Sequence, residues 1–273
     1  MNRRIAIIGV GNIGTAIASG LVSSGRFPAE AITLARRRVH LLEAMQQRGF
    51  AIAADNREAV TSSDVVIIAV EPQQIDGVLE EIAPVLHPGR HIVISVVTGA
   101  STKQIARQLG GGIAVVRAMP NTAIAVRESM TCIASEVADG PALDVARSIF
   151  DAVGRTIVIA EEEMIAATAL GACGVAFFLR AIRAASQGGI EIGFRSADAL
   201  SIAAQTARGA ASLLLATGHH PEDEIDRVTT PRGCTIAGLN QMEHEGFSSA
   251  MITGITVSAQ RASQLYTRPR DEE

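Results

Sequence analysis

Three glycines near the start of the chain have the spacing of a phosphate-binding turn. Gly9, Gly11 and Gly14 fit the pattern G-x-G-x-x-G, with Asn12 and Ile13 as the variable residues before the last glycine. In such a turn the first glycine allows a tight bend, the second lets a pyrophosphate approach, and the third lets a helix pack closely on a strand. The phosphates then face the free N–H groups at the helix start. The pattern predicts a dinucleotide-binding turn.

The residues after the next apolar run indicate which dinucleotide is bound. NAD-binding folds usually carry Asp or Glu here to hold the ribose 2′-hydroxyl, whereas this chain reads Leu34-Ala35-Arg36-Arg37-Arg38. Guanidinium groups pair with a 2′-phosphate, which a carboxylate would repel. Arg36 and Arg37 therefore favour NADPH, with NADH as the alternative cofactor. The structural alternative is that these arginines only solvate the start of a helix.

A second candidate anion site lies in the C-terminal half. Pro231, Arg232 and Gly233 interrupt the chain, and Cys234 and Thr235 open the next helical stretch. The free N–H groups of a helix start can bind a carboxylate without lysine or arginine. Thr235 would place a hydroxyl beside that anion, able to donate a hydrogen bond or relay a proton. The alternative is that Thr235 is simply the N-cap of the helix.

The elements that would position these residues differ between the two halves of the chain. Up to about residue 160, β-branched runs alternate with helical stretches, a pattern typical of a doubly wound, mainly parallel α/β sheet. The predicted strands are Ile5–Gly9, Ile32–Ala35, Val65–Val70, His91–Val96, Ile113–Arg117 and Thr156–Ile159. Beyond residue 160 only helices are predicted: Met164–Ala185, Ser196–Thr217, Thr235–Glu245 and Ser248 to about Tyr266, with turns at Gln187–Gly189, Gly218–Pro221 and Glu245–Gly246.

Composition excludes several classes of function. The formal net charge of −4 and the 3% aromatic content argue against a nucleic-acid partner, which needs a basic face and stacking groups. The three cysteines are far apart, so we expect no metal site and a reduced, cytoplasmic chain. The uncharged run Met164–Leu179 has 16 residues, fewer than the roughly 20 that a membrane span needs. Lys103 is the only lysine.

Four stretches together resemble the pyrroline-5-carboxylate reductase family. They are the glycine pattern, Ala69–Gln73, Met119–Thr122 and residues 228–243, the last being the most specific. The resemblance covers essentially the whole chain. It implies a Rossmann-type dinucleotide-binding domain over 1–160 and an all-α substrate and dimerisation domain over 161–273. The implied activity is NADPH-dependent reduction of 1-pyrroline-5-carboxylate to L-proline, by hydride transfer to a cyclic C=N in proline biosynthesis.

The resemblance also implies substrate contacts. Thr235 would be the catalytic donor to the imine nitrogen, beside Gly233 and Cys234. Asn121 would lie by the nicotinamide and substrate, and Glu161 would approach the substrate nitrogen. Glu161 opens a run of three glutamates, which also suits a solvated first helical turn.

Further cofactor contacts are implied along the edge of the sheet. Asn56 would contact the adenosine end of the cofactor. The remaining contacts, running toward the nicotinamide, would be Ala69, Val70, Glu71, Pro72 and Thr98. A homodimer is expected from the apolar C-terminal helices, with a pentamer of dimers as the larger assembly.

The chain departs from the family pattern near the implied site. Glu71 replaces a lysine, Gly171–Ala176 replaces Ser-Gly-Ser-Gly-Pro-Ala, and Arg232 replaces a glycine. Two alternatives therefore stay open: a reductase of another imine or ketimine, and a non-catalytic nucleotide-binding regulator. A β-hydroxyacid dehydrogenase shares the architecture but uses a lysine in its helical domain, and this chain has none after Lys103.

Overall fold

One eight-stranded sheet organises the N-terminal part of the chain. The computed structural model describes residues 3–138 and 140–265, and the strand order over these is β3-β2-β1-β4-β5-β6-β7-β8. Neighbouring strands are parallel except β6 and β7, which are antiparallel. The strands are β1 (Ile5–Ile8), β2 (Ile32–Ala35), β3 (Ala51–Ala53), β4 (Val65–Ile68), β5 (Ile92–Ser95), β6 (Ala114–Met119), β7 (Ser129–Ala134) and β8 (Gly154–Val158).

The six predicted strands are confirmed, with small shifts at their ends, and two further strands are present. The unpredicted β3 is only three residues long. The unpredicted β7 carries buried hydroxyls at Ser129 and Thr131 in place of a continuous apolar run. These hydroxyls are hydrogen-bonded, Ser129 Oγ accepting from the Asn121 N–H at 3.1 Å.

The sheet is buried on both faces because successive strand residues point to opposite sides. Ile5 and Ile7 of β1 belong to one apolar cluster, whereas Ala6 and Ile8 belong to the other. Helices cover both faces: α1 (Asn12–Ser23), α2 (Glu43–Gln47), α3 (Asn56–Thr61), α4 (Ile75–Ile82), α5 (Thr102–Gln108) and α6 (Gly140–Phe150).

After β8 the described chain is helical. A short helix α7 (Met164–Ala167) runs into a π-helical turn at Thr168–Ala172. The later helices are α8 (Gly174–Glu191), α9 (Ser196–Thr217), α10 (Pro221–Val228), α11 (Cys234–His244) and α12 (Phe247–Ala262). The predicted end near Tyr266 lies outside the described residues.

Contacts among the described residues divide the chain into two compact units. One contains residues 3–173 together with 258–265, and the other is Gly174–Val257. The domain boundary predicted at residue 160 stays a prediction.

The predicted turn at Gln187–Gly189 is wrong. Helix α8 continues through these glycines to Glu191. A Cβ added to Gly189 would lie 3.1 Å from the Cβ of Ala199 on α9. Gly189 therefore permits close packing of α8 on α9. The sequence pattern predicted a turn here because glycine is common in turns.

The second unit exposes much apolar surface. Phe178, Leu215 and Ile252 are 61%, 68% and 65% exposed. Two segments, Glu161–Glu191 and Ser196–Thr217, are long and apolar enough to cross a membrane by length and composition, with only 17% and 11% of their most apolar windows buried. A partner surface or a lipid phase would cover such helices.

Candidate functional site

The predicted phosphate-binding turn lies where three strands end. The Gly9 N–H donates to the Ala35 carbonyl of β2 at 3.1 Å, and the Ala69 N–H donates to the Ile8 carbonyl of β1 at 2.7 Å. Strands β2 and β4 flank β1: the chain runs from β1 to β2 and β3 on one side and then crosses to β4 on the other. This is the switch point at which ligands bind in doubly wound sheets.

Each glycine of the turn meets a different steric demand. Gly9 has φ +89°, and a Cβ there would come 2.6 Å from the Ala69 carbonyl oxygen. A Cβ on Gly14 would collide with the Gly9 carbonyl oxygen, whereas one on Gly11 would meet nothing within 4 Å. Gly11 therefore faces open space, and it is the N-cap of α1 with no side-chain cap. The first N–H groups of α1 are thus left for an anion.

A groove of about 390 Å³ opens beside this turn at the carboxyl edge of the sheet. Eight of the predicted cofactor residues line it: Gly9, Gly11, Arg36, Arg37, Asn56, Ala69, Val70 and Glu71. A larger cavity of about 560 Å³ lies at the opposite edge, near Arg90 and His91, and contains none of the predicted residues. The smaller groove is the candidate nucleotide site because it includes the glycine turn.

The three arginines after β2 are arranged differently. Arg36 is half-buried and its Nη1 donates to the Val10 carbonyl at 2.9 Å, so it braces the glycine turn. Arg37 and Arg38 also line the groove and are exposed. Arg36 and Arg37 are the predicted cofactor residues of this run, and Arg38 lines the groove beside them. The third arginine of the run was the signal for it.

Asn56 has a defined amide orientation. Its Nδ2 donates to Glu81 Oε2 at 2.8 Å, and a carboxylate can only accept, so the opposite assignment is excluded. The amide oxygen of Asn56 is thus kept as an acceptor at the groove. Glu71, also in the groove, is exposed.

The other predicted cofactor residues lie outside the set that lines the groove. Asn12, Ile13 and Gly14 form the first turn of α1. Pro72 begins a 3-10 turn directly after Glu71. Thr98 is half-buried in the loop that follows β5.

Asn121 is buried where β6 ends and is held at three points. Its N–H donates to Ser129 Oγ at 3.1 Å and its Oδ1 accepts from the Ala123 N–H at 3.0 Å. Its Nδ2 donates to the Gly171 carbonyl of the π-helical turn at 3.2 Å. The side chain is therefore preorganised, and its position does not depend on a ligand.

Glu161 is also held by protein groups. Arg117 Nη1 lies 3.0 Å from its Oε1, and the Thr102 N–H and hydroxyl donate to the two carboxylate oxygens at 3.1 and 3.2 Å. Arg117 and Thr102 were not predicted from the sequence. The available signal for Arg117 was a charged residue inside an otherwise apolar strand.

The Pro231–Thr235 segment folds in the second unit as a turn that leads into α11. The Gly233 N–H donates to the Thr230 carbonyl at 2.8 Å, and a Cβ on Gly233 would collide with the Thr230 hydroxyl. Arg232 has φ +62°, the left-handed region in which the family's glycine is favoured. The N-cap of α11 is Gly233, without a side-chain cap. The alternative in which Thr235 is the N-cap is therefore wrong. Thr235 is the second residue of α11 and lies in its first turn.

Among the described residues, no group of three or more His, Cys, Asp and Glu side chains is placed to hold a metal ion. Burial raises the pKa of the Cys132 thiol, and the nearby Glu163 carboxylate raises it further. Cys132 is therefore a neutral, packed side chain beside Met119 and Met164.

Two family descriptions match separate parts of the chain. Residues 161–265 match "Pyrroline-5-carboxylate reductase dimerisation". Residues 4–99 match "NADP oxidoreductase coenzyme F420-dependent". The first match covers the helices, and the second covers the glycine turn and the groove.

Relatives with established names are similar over nearly the whole chain. Pyrroline-5-carboxylate reductase 1 of Dictyostelium discoideum is 50% identical over 98% of this chain, which spans only 51% of that protein's length. Pyrroline-5-carboxylate reductase 2 of the same organism is 48% identical, over 96% of this chain and 93% of its own length. The solved pyrroline-5-carboxylate reductase of Coxiella burnetii is 30% identical with a TM-score of 0.88, covering 98% of this chain and 100% of that one.

Proposed function

The chain belongs to the pyrroline-5-carboxylate reductase family, and on that premise we propose that it reduces 1-pyrroline-5-carboxylate to L-proline with NADPH. The observation that carries the proposal is the 48% identity to a named reductase across almost the full length of both chains. Placement of the glycine turn and the three arginines around one groove supports it.

The groove fits a nicotinamide dinucleotide. Gly11 leaves space at the start of α1, where the pyrophosphate would lie against free N–H groups. Arg37 and Arg38 would pair with the 2′-phosphate, and Arg36 would hold the turn through Val10. The Asn56 amide oxygen would accept from the adenosine end. Bound in this way, NADPH would supply the hydride.

The reaction needs one hydride and one proton. The hydride adds to the imine carbon, the C=N π bond breaks, and the nitrogen takes a proton to become a secondary amine. A hydroxyl beside the nitrogen can hold or relay that proton. We assign this role to Thr235, whose hydroxyl is not used as a helix cap.

The same turn would bind the substrate carboxylate. The N–H groups at the start of α11, next to Gly233 and Cys234, have no side-chain cap. A carboxylate there gains hydrogen bonds and the favourable end of the helix dipole. On the sheet unit, Asn121 at the end of β6 is assigned to the nicotinamide end of the bound cofactor.

The protein is an oligomer through its dimerisation region. We propose a homodimer, with a pentamer of dimers as the larger assembly, located in the cytoplasm and not inserted in a membrane. The three glutamates that open the apolar segment Glu161–Glu191 favour a second subunit over lipid as the cover for the exposed helices.

The test is NADPH oxidation on addition of 1-pyrroline-5-carboxylate, with proline identified as the product. Thr235→Ala should lower kcat by about 100-fold, because a positioned proton donor is lost. The Kd for NADPH should not change. Thr235→Ser, which keeps the hydroxyl, is the matched control. NADPH binding without turnover of this imine would contradict the proposal and favour the regulator or another imine.

A further inference from the structure

Glu161 and Arg117 form a buried ion pair that the proposed reaction does not by itself require. The two side chains are only 8% and 6% exposed. Buried ion pairs often add no net stability over apolar residues of the same size, because both charges must be desolvated. Stability alone therefore does not explain why the pair is present.

Thr102 donates two further hydrogen bonds to the carboxylate of Glu161. The Thr102 N–H donates to Glu161 Oε1 and its hydroxyl donates to Oε2. The same hydroxyl accepts from the Glu136 N–H at 3.3 Å, so its hydrogen is left for Glu161. Each oxygen of Glu161 thus accepts a hydrogen bond from a protein group. This arrangement suits a side chain that fixes the positions of its neighbours better than one that binds substrate.

The three residues come from segments that also carry proposed site residues. Arg117 lies on β6, four residues before Asn121. Thr102 begins α5, just after the loop that contains Thr98. Glu161 joins both segments to the start of the helical region.

A second contact fixes the far end of the same region. Asn121 Nδ2 donates to the Gly171 carbonyl, ten residues beyond Glu161. Between these points Met164 is fully buried and packs with Met119 of β6. Residues 161–171 are therefore attached to the end of β6 at both ends and in the middle.

Resting on the proposed function, we propose that Glu161 is a positioning residue and not a substrate ligand. Glu161 acts through its contacts with Arg117 and Thr102. These contacts fix the segments that carry Asn121 and Thr98, the residues assigned to the nicotinamide end of the cofactor. Loss of Glu161 acts on the alignment of the reacting groups and leaves ground-state binding of substrate and cofactor intact.

The first test is Glu161→Gln, which keeps the side-chain size but places an NH₂ group where an oxygen accepts. Misalignment predicts a fall in kcat of about tenfold or more. The KM for the imine and the Kd for NADPH should stay within about threefold. Glu162→Gln is the matched control, because Glu162 is exposed and adjacent, and it should retain wild-type kinetics.

A double-variant cycle separates positioning from direct contact. If Glu161 acts partly through Arg117, the loss of kcat in Arg117→Met combined with Glu161→Gln should be smaller than the product of the two single losses. Thr102→Val removes one hydroxyl and should give a smaller loss in the same direction. It keeps the test available if the Arg117 variants do not fold, which thermal unfolding will show.

Two results would overturn the inference while leaving the reductase activity in place. One is a large rise in KM for the imine with unchanged kcat in Glu161→Gln. The other is multiplication of the kcat losses in the double variant. A folded wild-type protein that makes no proline would instead overturn the proposed function, and this inference with it.

Discussion

At the scale of single residues, the arginines of the groove differ in whether their guanidinium groups are hydrogen-bonded to the protein. Arg36 is hydrogen-bonded to the Val10 carbonyl, whereas Arg37 is exposed. Loss of a side chain that stabilises the turn should lower the affinity for any dinucleotide. Loss of an exposed guanidinium should lower only the affinity for a nucleotide that carries a 2′-phosphate. The two positions should therefore separate in binding experiments.

Arg37→Ala should weaken NADPH binding by about tenfold, the value of one charge-assisted hydrogen bond, and leave NADH almost unchanged. Arg36→Ala should weaken the binding of both cofactors, because the turn loses the hydrogen bond from Arg36 to the Val10 carbonyl. Titration of each variant with both cofactors by nucleotide fluorescence measures this. Equal losses of NADPH and NADH in Arg37→Ala would contradict the assignment of the 2′-phosphate.

We expect the burial of His91 to make the stability of the sheet unit depend on pH. It is 1% exposed, and its Nδ1 accepts from the His87 N–H at 2.8 Å. Burial lowers the pKa of His91 below its ordinary 6.5, and the charges of Arg90 and His87 lower it further. The unfolded chain then binds the proton at a higher pH than the folded chain. The free energy of unfolding should therefore fall as pH drops below about 6.5.

Thermal unfolding followed from about pH 7.5 down to pH 5 should show this loss of stability. His91→Asn should flatten the dependence, because Asn offers an acceptor to the His87 N–H and does not titrate. His40→Asn is the control, since His40 is exposed. An unchanged pH dependence in His91→Asn would remove His91 as its source.

At the scale of elements, the turn into α1 combines a requirement of folding with a requirement of binding. Gly14 lies against the Gly9 carbonyl, whereas Gly11 faces open space. One glycine serves the packing of helix on strand and the other serves the approach of a ligand.

Gly11→Ala should leave the thermal midpoint close to wild type but reduce NADPH affinity, because the new methyl group occupies the approach to the helix N-terminus. Gly14→Ala, of the same size change, should destabilise the protein by about 1–3 kcal/mol, as overpacking does. Calorimetry together with cofactor titration distinguishes them. The assignment fails if Gly11→Ala binds NADPH as wild type does.

Strands and turns were predicted correctly from the sequence where a few consecutive residues are enough to identify them. The apolar runs of β1 and β4 and the glycine turn can be predicted from a few consecutive residues. Strand β7 was not predicted because Ser129 and Thr131 are buried polar residues that interrupt the apolar run by which the other strands were found.

The same limit applies to the candidate site. The contacts of Glu161 reach Arg117 and Thr102, which are 44 and 59 residues away, so no local spacing indicates them. The sequence predicted Glu161 itself only through family resemblance. Its counter-charge and its buried setting are properties of the folded sheet.

At the scale of the whole molecule, the second unit carries the features that favour assembly. Its helices expose large apolar side chains, and the family match names this region for dimerisation. An unpartnered surface of this kind would favour association, because burial of apolar area is the main driving force for subunit contact.

Light scattering should give at least twice the chain mass of 28.5 kDa. Phe178→Asp should shift the protein toward the monomer, since a carboxylate at a buried interface is strongly unfavourable. Val126→Asp is the control, since Val126 is a similarly exposed apolar residue on the sheet unit. A monomeric wild type would contradict the assembly.

The central claim is that this chain transfers a hydride from NADPH to the imine carbon of 1-pyrroline-5-carboxylate. The most direct measurement uses NADPH with deuterium at both C4 positions and analyses the proline by mass spectrometry. The account predicts proline that carries one deuterium from the cofactor, formed in step with NADPH oxidation. Cofactor oxidation without deuterium in proline, or no proline at all, would contradict it.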